Sequence, residues 1–176
     1  IYPNPHEMSY QDGEFVIRQE VNVVFEETID SVTQKRMNEV LASKNKKVTT
    51  SQEKVEGKTN ILVGTYNSKG YVDTYVQKNY KIDASLFEKF GANFVASNNG
   101  EIVVLGRDTD AAFYGITSLK HIFNQMDGST IRNFTIKDYA DTNIRGFIEG
   151  YYGIPWSNED RMSLMKFGGD FKMTSY

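Results

Sequence analysis

Chemistry points first to the segment Arg145-Gly-Phe-Ile-Glu-Gly-Tyr-Tyr-Gly-Ile-Pro-Trp156. Glu149 sits among apolar neighbours, a setting that raises a carboxyl pKa and suits a proton donor. The competing reading makes it a carboxylate held by hydrogen bonds from its neighbours, Arg145 among them. That second reading is preferred, because one carboxylate without a partner is not glycosidase machinery. Gly150 has no Cβ, so its backbone carbonyl can approach a ligand hydroxyl closely. Tyr151, Tyr152 and Trp156 can each lay an aromatic face against a pyranose ring. In the plainer reading the two glycines only permit a tight turn and the aromatics pack beneath a rim.

Other candidates fall away on spacing. Asp108 and Asp110 stand where a helix N-terminus attracts negative charge. His6 and His121 are far apart and neither belongs to a His-x-x-x-His pair. With no cysteine, disulfides, zinc thiolates and cysteine nucleophiles are excluded. Neither a Gly-rich phosphate loop nor a Gly-x-Ser-x-Gly elbow occurs, so no metal and no cofactor is expected. The net charge of −3 is spread without a basic stripe, which argues against a nucleic-acid partner. No apolar run approaches the length of a membrane span. The chain opens on Ile1 without a charged-then-apolar leader, as after signal-peptide removal or a start inside the gene.

The positioning elements read as follows. Glu14–Arg18 and Val21–Phe25 are strand-like, with Asp12-Gly13 as a turn. From Thr28, residues Ile29, Val32, Met37, Val40 and Leu41 share a helical face, and Ser31 and Gln34 have capping-box spacing. That helix should end between Ser43 and Lys47, and Val48–Lys58 is too polar to assign. Ile61–Gly64 reads as a buried strand and Gly70–Lys78 as a short helix. Asn93–Ser97 and Glu101–Leu105 flank Asn98-Asn99-Gly100, a hairpin signal because Asn-Gly accepts positive φ. Ala112, Ile116, Leu119, Phe123 and Met126 then recur at steps of three and four, with Thr109 or Asp108 as cap and Asp127-Gly128 as stop. Ile131–Ile136 alternates as a last strand. This order predicts an α+β domain over 1–141, a sheet with helices on one face.

A second unit begins at 142. Ile144–Ile148 is a strand candidate and Gly150–Gly153 its exit loop. Ser157 caps a helix with Asp160 completing the box, Met162 and Met165 give an inner face, and Phe171–Tyr176 approaches another strand. Strand, helix, strand is the first βα unit of a parallel (β/α)8 barrel, whose ligands meet the loops after each strand. One such unit cannot close a barrel. Phe147, Ile148 and the inner helix face would lack covering strands, so association or partial disorder of 144–176 is expected.

The segment 145–156 closely resembles the opening barrel strand of glycoside hydrolase family 84, which holds O-GlcNAcases and clostridial hyaluronidases. Gly100–Gly106, Asp108, Phe113-Tyr114-Gly115 and Ser118-Leu119 are similar to the α+β domain that precedes the barrel, a fold shared with family 20 hexosaminidases. The resemblance covers essentially the whole chain. It implies retaining hydrolysis of terminal β-linked N-acetylglucosamine, with the substrate's acetamido oxygen as nucleophile and an oxazoline intermediate. Carried over by position, Gly150 supplies a substrate-binding carbonyl. The family's binding lysine and Asp-Asp pair fall beyond Tyr176, so no catalytic residue is expected here and the 176 residues should be inactive alone. Tyr151 stands where Phe is common. The resemblance further implies a GlcNAc-containing glycan or glycoprotein as substrate, the remainder of the barrel as partner, and secretion, as from a Gram-positive bacterium. A different class of reading treats the chain as a non-catalytic carbohydrate-binding or adhesion module. For 1–141 alone, structural support of the barrel is favoured, since no exposed aromatic ladder or carboxylate pair marks a site.

Overall fold

A computed structural model describes residues 1–176 except Asn99. In chain order the elements are β1 (Glu7–Val16), β2 (Glu20–Phe25), α1 (Ser31–Ala42), β3 (Lys47–Ser51), β4 (Thr59–Thr65), α2 (Tyr71–Asn79), a 3₁₀ turn (Ala84–Glu88), β5 (Asn93–Asn98), β6 (Glu101–Gly106), α3 (Thr109–Gln125), β7 (Thr130–Asp138) and α4 (Asn158–Asp170). The strands make one mixed sheet in the order β1-β7-β5-β6-β4-β2-β3. Neighbours among β3, β2, β4 and β6 run parallel, whereas β6, β5, β7 and β1 alternate antiparallel.

Alternation along the strands divides the core in two. Val23, Ile61, Val63, Ile102 and Val104 meet Met37, Val40 and Leu41 of α1 and Ala112, Ile116, Leu119 and Phe123 of α3. Val24, Leu62, Val103 and Leu105 meet Val72 and Val76 of α2 and Leu86 and Phe87 of the 3₁₀ turn. The two long helices thus share one face, but α2 and the 3₁₀ turn cover the other, so the expectation of helices on one face holds for α1 and α3 and not for α2. This double cover is why every residue of β4 and β6 is buried.

Local departures have local causes. Asp12-Gly13 is not a turn between strands. It lies inside β1, where the register with β7 shifts between Tyr10 and Glu14, and Gly13 takes φ +89° in that irregularity. Val48–Lys58 contains all of β3 but its first residue, Lys47, and the strand is polar because it is an edge strand paired only to β2. Asp30, not Ser31, caps α1 by accepting from Thr33 N at 2.8 Å, and Gln34 bonds Ile29 O instead. Val32 is exposed and leaves the expected face. Asp108 caps α3 through Ala111 N at 2.8 Å, and α3 stops at Gln125, ahead of Asp127-Gly128. The hairpin pairs Asn98 with Glu101 and Gly100 has φ +97°, while the Asn99 part of the turn lies outside the described residues.

After β7 the chain makes a helix, α4, flanked by the two halves of one parallel bridge. The expected strand Ile144–Ile148 is reduced to a single parallel bridge, Gly146 to Ser175. A strand whose one neighbour is so short gains few ladder bonds. Helix α4 begins on the expected capping box, with Ser157 Oγ accepting from Asp160 N and Asp160 reaching back to Ser157 N. Met162 and Met165 are exposed, and the contact that α4 buries is Gly168 beneath the Phe147 ring. The C-terminal end of α4 is anchored to the sheet unit. Asp170 pairs with Lys120 at 2.7 Å and with Arg36, Lys172 Nζ reaches Asp138 at 2.6 Å, and Phe171 packs on Tyr2 and His121.

Candidate functional site

The capping box fixes where α4 starts, and one turn inside it Arg161 turns back to the strand exit. Its guanidinium grips Glu149 in a fork, Nε to Oε2 at 2.7 Å and Nη2 to Oε1 at 2.9 Å. Tyr176 OH also donates to Glu149 Oε2, and Trp156 N donates to Oε1 at 3.4 Å. Glu149 thereby stands at the base of the loop 150–156 and touches both of its ends.

These donors decide the ionisation. Arg161 first, and Tyr176 next, pull the Glu149 pKa down to about 2. The hydrogen-bonded reading of Glu149, preferred from the sequence over the proton donor, is the one that this geometry fits. Apolar sequence neighbours do not control this carboxyl, because the groups around it in space are hydrogen-bond donors. The hydrogen-bonded alternative describes its state, with one change of partner. Arg145 points elsewhere, donating to Lys172 O from Nε at 3.1 Å and lying over the Tyr114 ring.

Gly150 is exposed within this loop, and a Cβ there would meet the Tyr152 ring at 3.1 Å. Tyr151, Tyr152 and Ile154 project into solvent, the last two almost completely at 102% and 96% exposure. Trp156 is half-exposed at 49%. The loop is thus an exposed surface carrying ring faces, the kind of surface against which a sugar ring can lie.

The remaining candidates have structural surroundings. Asp108 is a helix cap, and Asp110 lies beside it with its pKa raised by burial and by the Asp108 and Asp30 charges. His6 stacks on Tyr139 and bonds Asp138 and Asp141 through its two ring nitrogens. His121 Nδ1 accepts from Tyr2 N at 3.0 Å. Among the described residues no group of three His, Cys, Asp or Glu side chains could hold a metal, and no helix is long and apolar enough to cross a membrane. Sequence reasoning missed Arg161, Tyr176 and Lys172. Arg161 follows a capping box, but nothing in the spacing says that α4 folds back over Glu149.

A mixed sheet is followed by a short bridge, a capped helix and a Gly-Tyr-Tyr-Gly loop, and the comparisons place this arrangement among hexosaminidase-type glycoside hydrolases. Residues 1–139 match glycosyl hydrolase family 20, domain 2, and residues 145–176 match beta-N-acetylglucosaminidase. The chain belongs to the family 20 domain 2 group and, taken whole, is a fragment of glycoside hydrolase family 84. It is similar along its whole length to the solved structure of CpGH84D, at 52% identity and TM-score 0.97. CpGH84B is similar over 98% of the chain, at 25% identity and TM-score 0.78. The chain spans 30% and 28% of those two structures. The GH20 exo beta-N-acetylglucosaminidase of Vibrio harveyi shares the fold over 99% of the chain and 24% of its own, with 12% identity and TM-score 0.71.

Proposed function

We propose that residues 1–141 are the supporting domain, and residues 142–176 the opening of the catalytic (β/α)8 barrel, of a secreted retaining β-N-acetylglucosaminidase. The observation carrying this reading is the loop 149–156, whose segment matches beta-N-acetylglucosaminidase and which offers Gly150 and three aromatics at a strand exit. In the reaction the acetamido oxygen of a terminal β-linked GlcNAc attacks its anomeric carbon. The bond to the leaving oxygen breaks as a general acid protonates it, and an oxazoline forms. Water, deprotonated by the same group, then opens the oxazoline with net retention. Because the nucleophile arrives with the substrate, proximity supplies much of the acceleration. The Gly150 carbonyl accepts a hydrogen bond from a sugar hydroxyl. Glu149, held ionised by Arg161, is unsuited to the general-acid role, which fits an Asp pair and binding lysine outside these 176 residues. The chain alone is then inactive. The substrate class is a GlcNAc-containing glycan or glycoprotein, with O-linked GlcNAc on protein, mucin glycans and hyaluronan fragments as its members.

The test compares hydrolysis of an aryl β-N-acetylglucosaminide by the 176-residue chain and by the complete gene product. Activity in the long form alone supports the proposal. Inactivity in both, with sugar binding retained, would instead establish a carbohydrate-binding or adhesion module. Activity in the short form would put the chemistry on a carboxylate within 1–176.

A further inference from the structure

We propose that Arg161, acting through Glu149, is the positioning residue of the loop 150–156 and hence of the Gly150 carbonyl. The proposal rests on the enzyme reading above for its consequence in catalysis, but its geometry stands separately. Glu149 immediately precedes Gly150, so fixing the Glu149 side chain limits rotation of the peptide that presents the carbonyl. The same carboxylate takes the Trp156 N–H at the far end of the loop, 3.4 Å away. One group therefore ties both ends of 150–156, and Arg161 holds that group by two parallel bonds of 2.7 and 2.9 Å.

Tyr176 OH adds a single bond to Glu149 Oε2, whereas Arg161 supplies the two-pronged one, and the loop itself has few other supports. Tyr152 and Ile154 are almost fully exposed and Tyr151 largely so, so the loop has little packing to hold it. The Glu149 side chain, by contrast, is only 5% exposed. Arg161 is itself oriented on both sides. Its backbone N bonds Ser157 O in the first turn of α4, and its Nη1 donates to Asn158 Oδ1 at 3.2 Å. The Ser157–Asp160 capping box fixes that turn. The line of control therefore runs from the helix start through Arg161 and Glu149 to the sugar-facing backbone. A bidentate fork fixes an angle as well as a distance, which lysine in the same place would not.

Trp156 is the chain's single tryptophan, which makes the loop directly observable. In the 176-residue chain, Arg161→Ala should raise acrylamide quenching of Trp156 and speed amide exchange in 150–156, with the far-UV melt unchanged. Arg161→Lys should fall between. Trp156 quenching and loop exchange that match wild type in Arg161→Ala would overturn the proposal. In the complete gene product, Arg161→Ala should lower kcat/KM for the aryl glycoside about 10- to 100-fold, as misplacement near 1 Å does. The loss should lie mainly in KM, leave the pH profile unchanged in shape, and be partly restored by Arg161→Lys. A loss confined to kcat, with one limb of the pH profile removed in Glu149→Gln, would overturn the proposal by making Glu149 a proton-transfer group. If the wild-type long form proves inactive, the enzyme reading fails while the Trp156 measurements still decide whether the clamp orders the loop.

Discussion

Lys172→Ala tests how the two parts of the chain are joined. Lys172 and Asp138 are each only 6% exposed, and Nζ lies 2.6 Å from Oδ2. Removing one partner of a buried pair costs about 3–5 kcal/mol, because the other charge is left desolvated. Asp138 keeps some help, since His6 N and Nδ1 both bond its Oδ1 at 3.3 and 3.2 Å. The loss should therefore fall near the low end, about 3 kcal/mol. Lys172 also has φ +58°, a left-handed conformation that costs a non-glycine residue roughly 1–2 kcal/mol. Lys172→Gly removes the same ion pair but releases that strain, so it should be about 1 kcal/mol less damaging than Lys172→Ala. Replacing the stranded anion in Lys172→Ala/Asp138→Asn should recover part of the loss. The assay is urea unfolding followed by far-UV circular dichroism for the whole chain and by Trp156 fluorescence for the second unit. Because the pair crosses between units, the Trp156 midpoint should fall further than the dichroism midpoint. A cost below about 1 kcal/mol, or a glycine variant worse than the alanine one, would refute the reasoning.

Three further outcomes are expected. A carboxyl whose folded pKa is depressed stabilises above its unfolded pKa, and that contribution disappears as pH falls through the folded value. With Glu149 at about 2, Trp156 quenching should stay flat from neutral pH through the ordinary carboxylate range and rise only on approach to pH 2. Gly106→Ala would put a Cβ 2.3 Å from Ala112 N and 2.5 Å from Asp108 O, both backbone atoms that cannot turn aside. It should cost about 3 kcal/mol or more, seen as loss of soluble protein or a lowered urea midpoint. Asp108→Ala removes the α3 cap and should cost about 1 kcal/mol in the same unfolding assay.

Legibility followed the range of the forces involved. The buried strand at 61–64, the hairpin strands, the α3 face from Ala112 to Phe123 and the α4 capping box were readable, because each is set by neighbours a few residues apart. The edge strand β3 was not, since an exposed strand carries no hydrophobic alternation. Asp12-Gly13 misled because glycine serves a bulge as well as a turn, and only the pairing of β1 with distant β7 distinguishes them. At the site, the sequence marked Glu149, Gly150 and the aromatics but not the clamp. Arg161 reaches Glu149 through a helix that folds back, and Lys172 finds Asp138 across 34 residues. Long-range ion pairs leave no periodicity to read.

The place of β7 has a consequence for the order of assembly. It lies between β1 and β5, so β1 cannot enter the sheet until β7 has been synthesised. Asp138, the last residue of β7, is also the anchor for Lys172. Closing the sheet and creating the seat for the second unit are therefore one event. Such non-local closure is slow compared with local helix formation. The segment 142–176 follows β7 in the chain, and Lys172 gains its buried partner only where Asp138 has been set in place by that strand.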